Sequence, residues 1–209
     1  NTASRVGVRR RATNIDATFS TVESRYRINS NNLNRAYNVG ENINLRITPN
    51  PPRGQTFYWD FNEKGGNSGR RGQNVTYSFR RPGRHPIELF TKPTVSADSR
   101  IDYKFVTIRC TSIYIDDLLD RLSRAIQTNN INARQQAKLD LNLSFSSPNT
   151  VAIRHYTSSG RLEEVYNNMD QFIGWFTGQV RRGDRQPITR LTVEVNSEDG
   201  KLSLLKVYE

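Results

Sequence analysis

Two histidines, one cysteine and a few tight groups of carboxylates are where this chain of 209 residues could hold acid, base or nucleophile chemistry. His155 precedes Tyr156 on the apolar-alternating run Val151-Ala152-Ile153-Arg154-His155-Tyr156, and together they could line a cavity where a proton is moved. No acidic partner stands at a recognisable spacing from His155, and acid/base work needs a positioned partner as well as a suitable pKa. His155 therefore reads first as structural and second as a cavity candidate with Tyr156. Asp116, Asp117 and Asp120, and the pair Glu163-Glu164, suggest paired-carboxylate chemistry only superficially. Asp116 and Asp120 fall opposite an apolar helix stripe, which makes them solvated. Cys110 ends the alternating run that starts at Tyr103 and reads as a small buried residue. A single cysteine excludes an internal disulfide and a cysteine-built zinc site. No catalytic residue, metal ligand or cofactor is assigned.

Binding has better material. Arg9-Arg10-Arg11, Arg70-Arg71, and Arg80-Arg81 with Arg84 are clusters of guanidinium groups, which fork bidentately onto phosphate, sulfate or carboxylate. Trp175, one position off a helical apolar stripe, either widens a buried face or anchors a partner chain. The net charge of +11 is unevenly placed. Residues 1–38 carry seven basic and two acidic side chains, residues 39–111 twelve and six, and residues 112–209 twelve and twelve. All the excess lies in the first half, so a polyanion or anionic surface is a possible partner there alongside a protein. No helix-turn-helix, zinc-finger or aromatic ribonucleoprotein pattern accompanies this charge.

These residues need a scaffold, and its period changes along the chain. Residues 1–36 form a polar, basic arm, expected to be partly ordered against the strands beyond it. From residue 37 the pattern is strand-like: Ile43, Leu45 and Ile47 alternate, then Phe57, Trp59 and Phe61, then Val75, Tyr77 and Phe79. Pro49-Asn50-Pro51-Pro52-Arg53-Gly54 and the Gly-rich stretch from Lys64 to Gly69 break the runs, and Tyr103 to Cys110 closes the set. Asp60, beside Trp59, is expected to accept backbone N–H bonds and anchor a turn. From Ser112 the period becomes 3.6: Ile115, Leu118, Leu119, Leu122 and Ile126 form one helical stripe, with Asp116, Asp117 and Asp120 near its start. A shorter helix is expected from Asn132 to about Leu139. Met169, Phe172, Ile173, Phe176 and Val180 repeat the stripe, and Leu191-to-Val195 with Leu202-to-Val207 reads as a hairpin.

Val39-Gly40-Glu41, Trp59-Asp60-Phe61, Tyr77-Ser78-Phe79 and Pro82-Gly83 fall in an order that resembles the polycystic-kidney-disease (PKD) repeat, an immunoglobulin-like module. In place of that family's Gly-Asp-Gly turn after Trp-Asp-Phe stands Asn62-Glu63-Lys64-Gly65-Gly66. The later order of helix, helix, strand pair, helix, strand pair resembles the cone-shaped fold of nuclear transport factor two and its relatives. The expectation is thus an all-β immunoglobulin-like sandwich over residues 37–110, then an α+β domain over residues 111–209 with a curved antiparallel sheet on about three helices. The resemblance implies an extracytoplasmic bacterial setting, in the periplasm or cell envelope, and the expected role is a non-enzymatic binding or scaffold protein, an envelope or secretion-associated component. Two alternatives stand beside it: an enzyme using a C-terminal cavity, and a basic polyanion-binding module. A mean hydropathy of −0.74 and the lack of an apolar run near the ~20 residues of a spanning helix argue against a membrane span. No signal-peptide pattern is visible, and the chain begins at Asn1 without a Met.

Overall fold

The computed structural model describes residues 25–30, 33–63, 69–91, 99–147, 151–183 and 187–209. Arg9-Arg10-Arg11 and most of the basic arm lie outside these residues, as does most of the Gly-rich stretch after Asn62. The described chain is rich in sheet, with three sheets and three helices.

Among the described residues, eight strands precede the helix that starts at Ser112: β1 (Arg27–Asn29), β2 (Tyr37–Asn38), β3 (Ile43–Thr48), β4 (Tyr58–Asp60), β5 (Arg70–Arg71), β6 (Asn74–Tyr77), β7 (Gly83–Phe90) and β8 (Arg100–Arg109). The alternation in β3 does what period two requires. Ile43, Leu45 and Ile47 are buried while Asn44, Arg46 and Thr48 face water. One sheet runs β1-β3-β6, all antiparallel; the other runs β2-β8-β7-β4-β5, antiparallel except where β2 lies parallel to β8. Both close on one apolar cluster, with Ile28, Ile43, Leu45 and Ile47 from the smaller sheet and Trp59, Ile87, Leu89, Val106 and Ile108 from the larger. Phe61 and Phe79 are fully buried in it, each worth about 1.5–3 kcal/mol in apolar area removed from water. The Trp59 indole N–H is satisfied by the Gly72 carbonyl at 2.8 Å. Asp60 anchors its turn as expected, accepting the Asn62 N–H at 2.9 Å.

The remainder comprises α1 (Ser112–Gln127), α2 (Ile131–Leu143), β9 (Ile153–Tyr156), β10 (Leu162–Tyr166), α3 (Met169–Arg181), β11 (Arg190–Val195) and β12 (Leu202–Tyr208). Its curled sheet has the order β10-β9-β12-β11. The expected antiparallel character is corrected in one place: β9 and β12 run parallel. The long connection through β10, α3 and β11 allows this, since parallel neighbours need a crossover and not a tight turn. The apolar stripes of α1 and α3 pack with Ile153, Leu202, Leu205 and Val207 in a second cluster, which shares no residue with the first.

The helix limits also adjust the expectations. Helix α1 begins at Ser112, capped by the Thr111 hydroxyl accepting from the Tyr114 N–H at 3.2 Å, so its first turn carries no acid. Asp116, Asp117 and Asp120 lie beyond the reach of the dipole argument. Helix α2 extends to Leu143, capped by Asn130, past the expected end near Leu139.

The two clusters meet at a tight seam. The Cys110 N–H donates to the Gly200 carbonyl at 2.7 Å. Gly200 has φ +73°, and a Cβ there would stand 2.2 Å from the Ile108 carbonyl oxygen, closer than any real contact. Only glycine serves at this position. Beside it, Arg81 reaches across to Asp140 of α2 at 2.9 Å.

Candidate functional site

His155 lies on β9, where Ile153 and His155 point inward and Arg154 outward. It is only 2% exposed. Two neighbouring strands bring carboxylates to it. On one side β10 pairs antiparallel with β9, and the register shifts between Leu162 and Glu164, so Glu163 sits in the irregularity. Its Oε2 lies 3.9 Å from His155 Nε2. On the other side parallel β12 sets Val207 opposite His155, and the chain continues along β9 so that the Glu209 N–H donates to the Tyr156 carbonyl at 3.1 Å. That places Glu209 Oε1 3.1 Å from the same Nε2. From α3, capped by the Asn168 side chain accepting from the Asp170 N–H at 2.7 Å, Trp175 packs on the imidazole with ring centroids 4.4 Å apart. The Tyr166 ring lies 6.4 Å away and nearly parallel.

Despite these distances, neither carboxylate oxygen is aligned to accept from His155, and Nε2 has no hydrogen-bond partner among the described residues. A buried polar atom in this state costs on the order of 1–3 kcal/mol. Tyr166 supplies no relief, because its hydroxyl donates to Glu164 Oε2 at 2.8 Å. Burial, then that bond and the carboxylates of Glu164, Glu209 and Glu163, push the Tyr166 hydroxyl well above its usual pKa, so it stays a protonated donor. The ligand atoms of His155, Glu163 and Glu209 all lie within 4.8 Å of one another. One nitrogen and two oxygens at that spacing can share a proton or hold a cation.

The other residues singled out in the sequence scatter. Tyr156 does not join His155; adjacent residues of one strand face opposite sides, and Tyr156 stacks on Tyr208 at 5.0 Å instead. Trp175 does not stand free: half-buried, it packs on His155 and on the core. Arg81 is spent inside the molecule on Asp140. Arg80 has an exposed side chain and gives its backbone N–H to Glu63 at 2.6 Å. Arg70 and Arg71 lie over the rings of Tyr77 and Tyr58. Cys110 is buried, and burial pushes its thiol up to about 12, far from nucleophile chemistry at neutral pH.

Arg84 is the member of the arginine set that opens a surface. It is exposed on β7 and covers the Phe105 ring at 4.3 Å. Phe105 and Tyr103, on β8, are 44% and 54% exposed and meet edge to face at 5.9 Å. Arg100 covers Tyr103 at 5.4 Å. This pair is hidden in the sequence because Tyr103-to-Cys110 reads as one alternating strand with a buried face. The even positions Val106 and Ile108 are buried, which leaves Phe105 and Tyr103 on the outer face. Nor does the sequence join Glu163 and Glu209 to His155. The signal available is weak: Glu209 directly extends a β-alternation, but nothing local says which strand it will flank.

No protein-family model and no curated protein matches this chain.

Proposed function

We propose that this chain is a non-enzymatic binding or scaffold protein that docks a protein partner through the outer face of the β2-β8-β7-β4-β5 sheet. The observation that carries this reading is the exposed pair Tyr103 and Phe105, bracketed by Arg84 and Arg100. Aromatic side chains offer large contact area at small entropic cost, and Tyr and Arg are over-represented where truncation hurts binding most. Arg84 and Arg109 add cations to the outer face, while Arg100 is paired with Glu88 of β7 at 2.6 Å, so the complementary partner surface is apolar at its centre with a carboxylate set toward Arg84. Residues 37–110 and 111–209 serve in this reading as two modules, the first PKD-like, the second akin to the nuclear transport factor two fold. The PKD resemblance motivates an extracytoplasmic bacterial setting, in the periplasm or envelope.

The test is a comparison of the proteins retained from the source cell by the wild-type chain and by the Tyr103→Ser/Phe105→Ser variant. A partner held by the wild type should bind the variant at least ~30-fold more weakly, the counterpart of about 2 kcal/mol for a central aromatic contact. Identical retention by both chains sinks the proposal. Capture of heparin or DNA instead, with affinity falling steeply in salt, would replace the protein partner by a polyanion.

A further inference from the structure

We infer that His155, Glu163 and Glu209 form a binding site for a first-row divalent cation of the zinc class, with a coordination position open to solvent. Three observations converge. The first is the donor set: one imidazole nitrogen and two carboxylate oxygens is a composition suited to such cations, and too nitrogen-bearing for a dedicated calcium or magnesium cage. The second is spacing. Bonds of about 2.0–2.1 Å in a tetrahedral site put neighbouring ligand atoms about 3.3 Å apart. Nε2 lies 3.1 Å from Glu209 Oε1 and 3.9 Å from Glu163 Oε2, on either side of that figure. The third edge lies within 4.8 Å and involves two glutamate side chains that are 35% and 40% exposed, free to close by a small rotamer change. The third observation is the unpartnered Nε2 itself, buried and facing both carboxylates. A metal bond would use that nitrogen as the geometry presents it, without the N–H alignment that a hydrogen bond demands.

The surroundings match this role. Trp175 and Tyr166 flank the imidazole, and the Glu209 backbone is pinned to Tyr156 by its N–H. Arg161 lies 3.6 Å from Glu163 Oε1, the oxygen not turned to His155. The buried imidazole and the half-exposed carboxylates leave the open side toward water, where a small ligand or a partner's side chain would complete the coordination. The donors come from β9, from β10 and from the residue after β12, so the cation would clamp three adjacent strands.

The test uses the full chain freed of metal by a chelator. Titration with Zn2+ in calorimetry should give one site, and Co2+ should give the visible absorption of a tetrahedral complex. His155→Gln should lower Zn2+ affinity at least ~100-fold, and Glu209→Gln, at a half-exposed position that leaves the fold alone, ~10–100-fold. Binding should also change Trp175 fluorescence and leave Trp59 silent. Zn2+ affinity that is absent, or equal in wild type, His155→Gln and Glu209→Gln, overturns the site.

Discussion

Glu63 and His155 are the two most instructive buried polar residues, one in each apolar cluster's territory, and they are treated in opposite ways. Glu63 is 8% exposed and fully engaged: the Tyr77 hydroxyl donates to one oxygen at 2.8 Å and the Arg80 N–H to the other at 2.6 Å. Burial and the bond to Glu63 push the Tyr77 hydroxyl up to about 12, and its ring stacks on Phe61 at 3.8 Å. His155 is more deeply buried and its Nε2 has no hydrogen bond. A satisfied buried polar group is a structural device that fixes a turn and a ring. An unsatisfied one persists where something outside the fold is meant to complete it. The contrast separates the region that is finished by its own chain from the region that is not.

Each region has its own reporter, Trp59 in the first cluster and Trp175 against the second, so the comparison can be broken residue by residue. The largest effect should come from the seam. Gly200→Ala adds a positive-φ penalty of about 1 kcal/mol to a clash with the Ile108 carbonyl, and we expect a loss of about 3 kcal/mol or more. Urea unfolding followed at Trp59 and at Trp175 in single-Trp chains checks this. A loss of unfolding free energy below about 1 kcal/mol at both reporters would show that the seam is not tight.

Glu63→Ala comes next. It strands the Tyr77 hydroxyl and the Arg80 N–H together, and about 2–3 kcal/mol should be lost at Trp59 with little change at Trp175. A shift of equal size at both reporters would mean that the two clusters unfold as one unit. The smallest loss sharpens the contrast: His155→Phe, in metal-free protein, should lower stability by no more than about 1 kcal/mol or raise it, since an unpartnered polar atom is exchanged for an apolar ring of similar size. A loss as large as that of Glu63→Ala would show that His155 is already satisfied without a ligand.

How much can be read from sequence depends on how local the cause is. The alternation of Ile43, Leu45 and Ile47, and the stripes of α1 and α3, are set by each segment's own exposure to water on one side, so period alone reveals them. Asp60 is legible for the same reason, because a turn two residues long is a local matter. The parallel pairing of β9 with β12 is not, since a strand's neighbour is chosen by topology. Glu163 and Glu209 therefore could not be joined to His155, and one of them depends on a bulge that shifts the register. The pairing of His155 with Tyr156 fails on the simplest ground, the alternation of strand faces. Arg81 looks like a surface contact in the sequence because Asp140, its partner, is on another element altogether.

The short β5 has a consequence for how copies of this chain behave in a crowded solution. Among the described residues it forms one border of the five-stranded sheet, and a border strand presents backbone groups onto which another molecule could lay a strand of its own. Here the border is two residues long and both are exposed arginines, Arg70 and Arg71. An incoming strand would have to strip water from two adjacent cations for very few ladder bonds. The same side chains that look like ligand contacts in the linear sequence therefore act as a guard against runaway self-templating, and a sheet whose outer face carries bare aromatics has particular need of one.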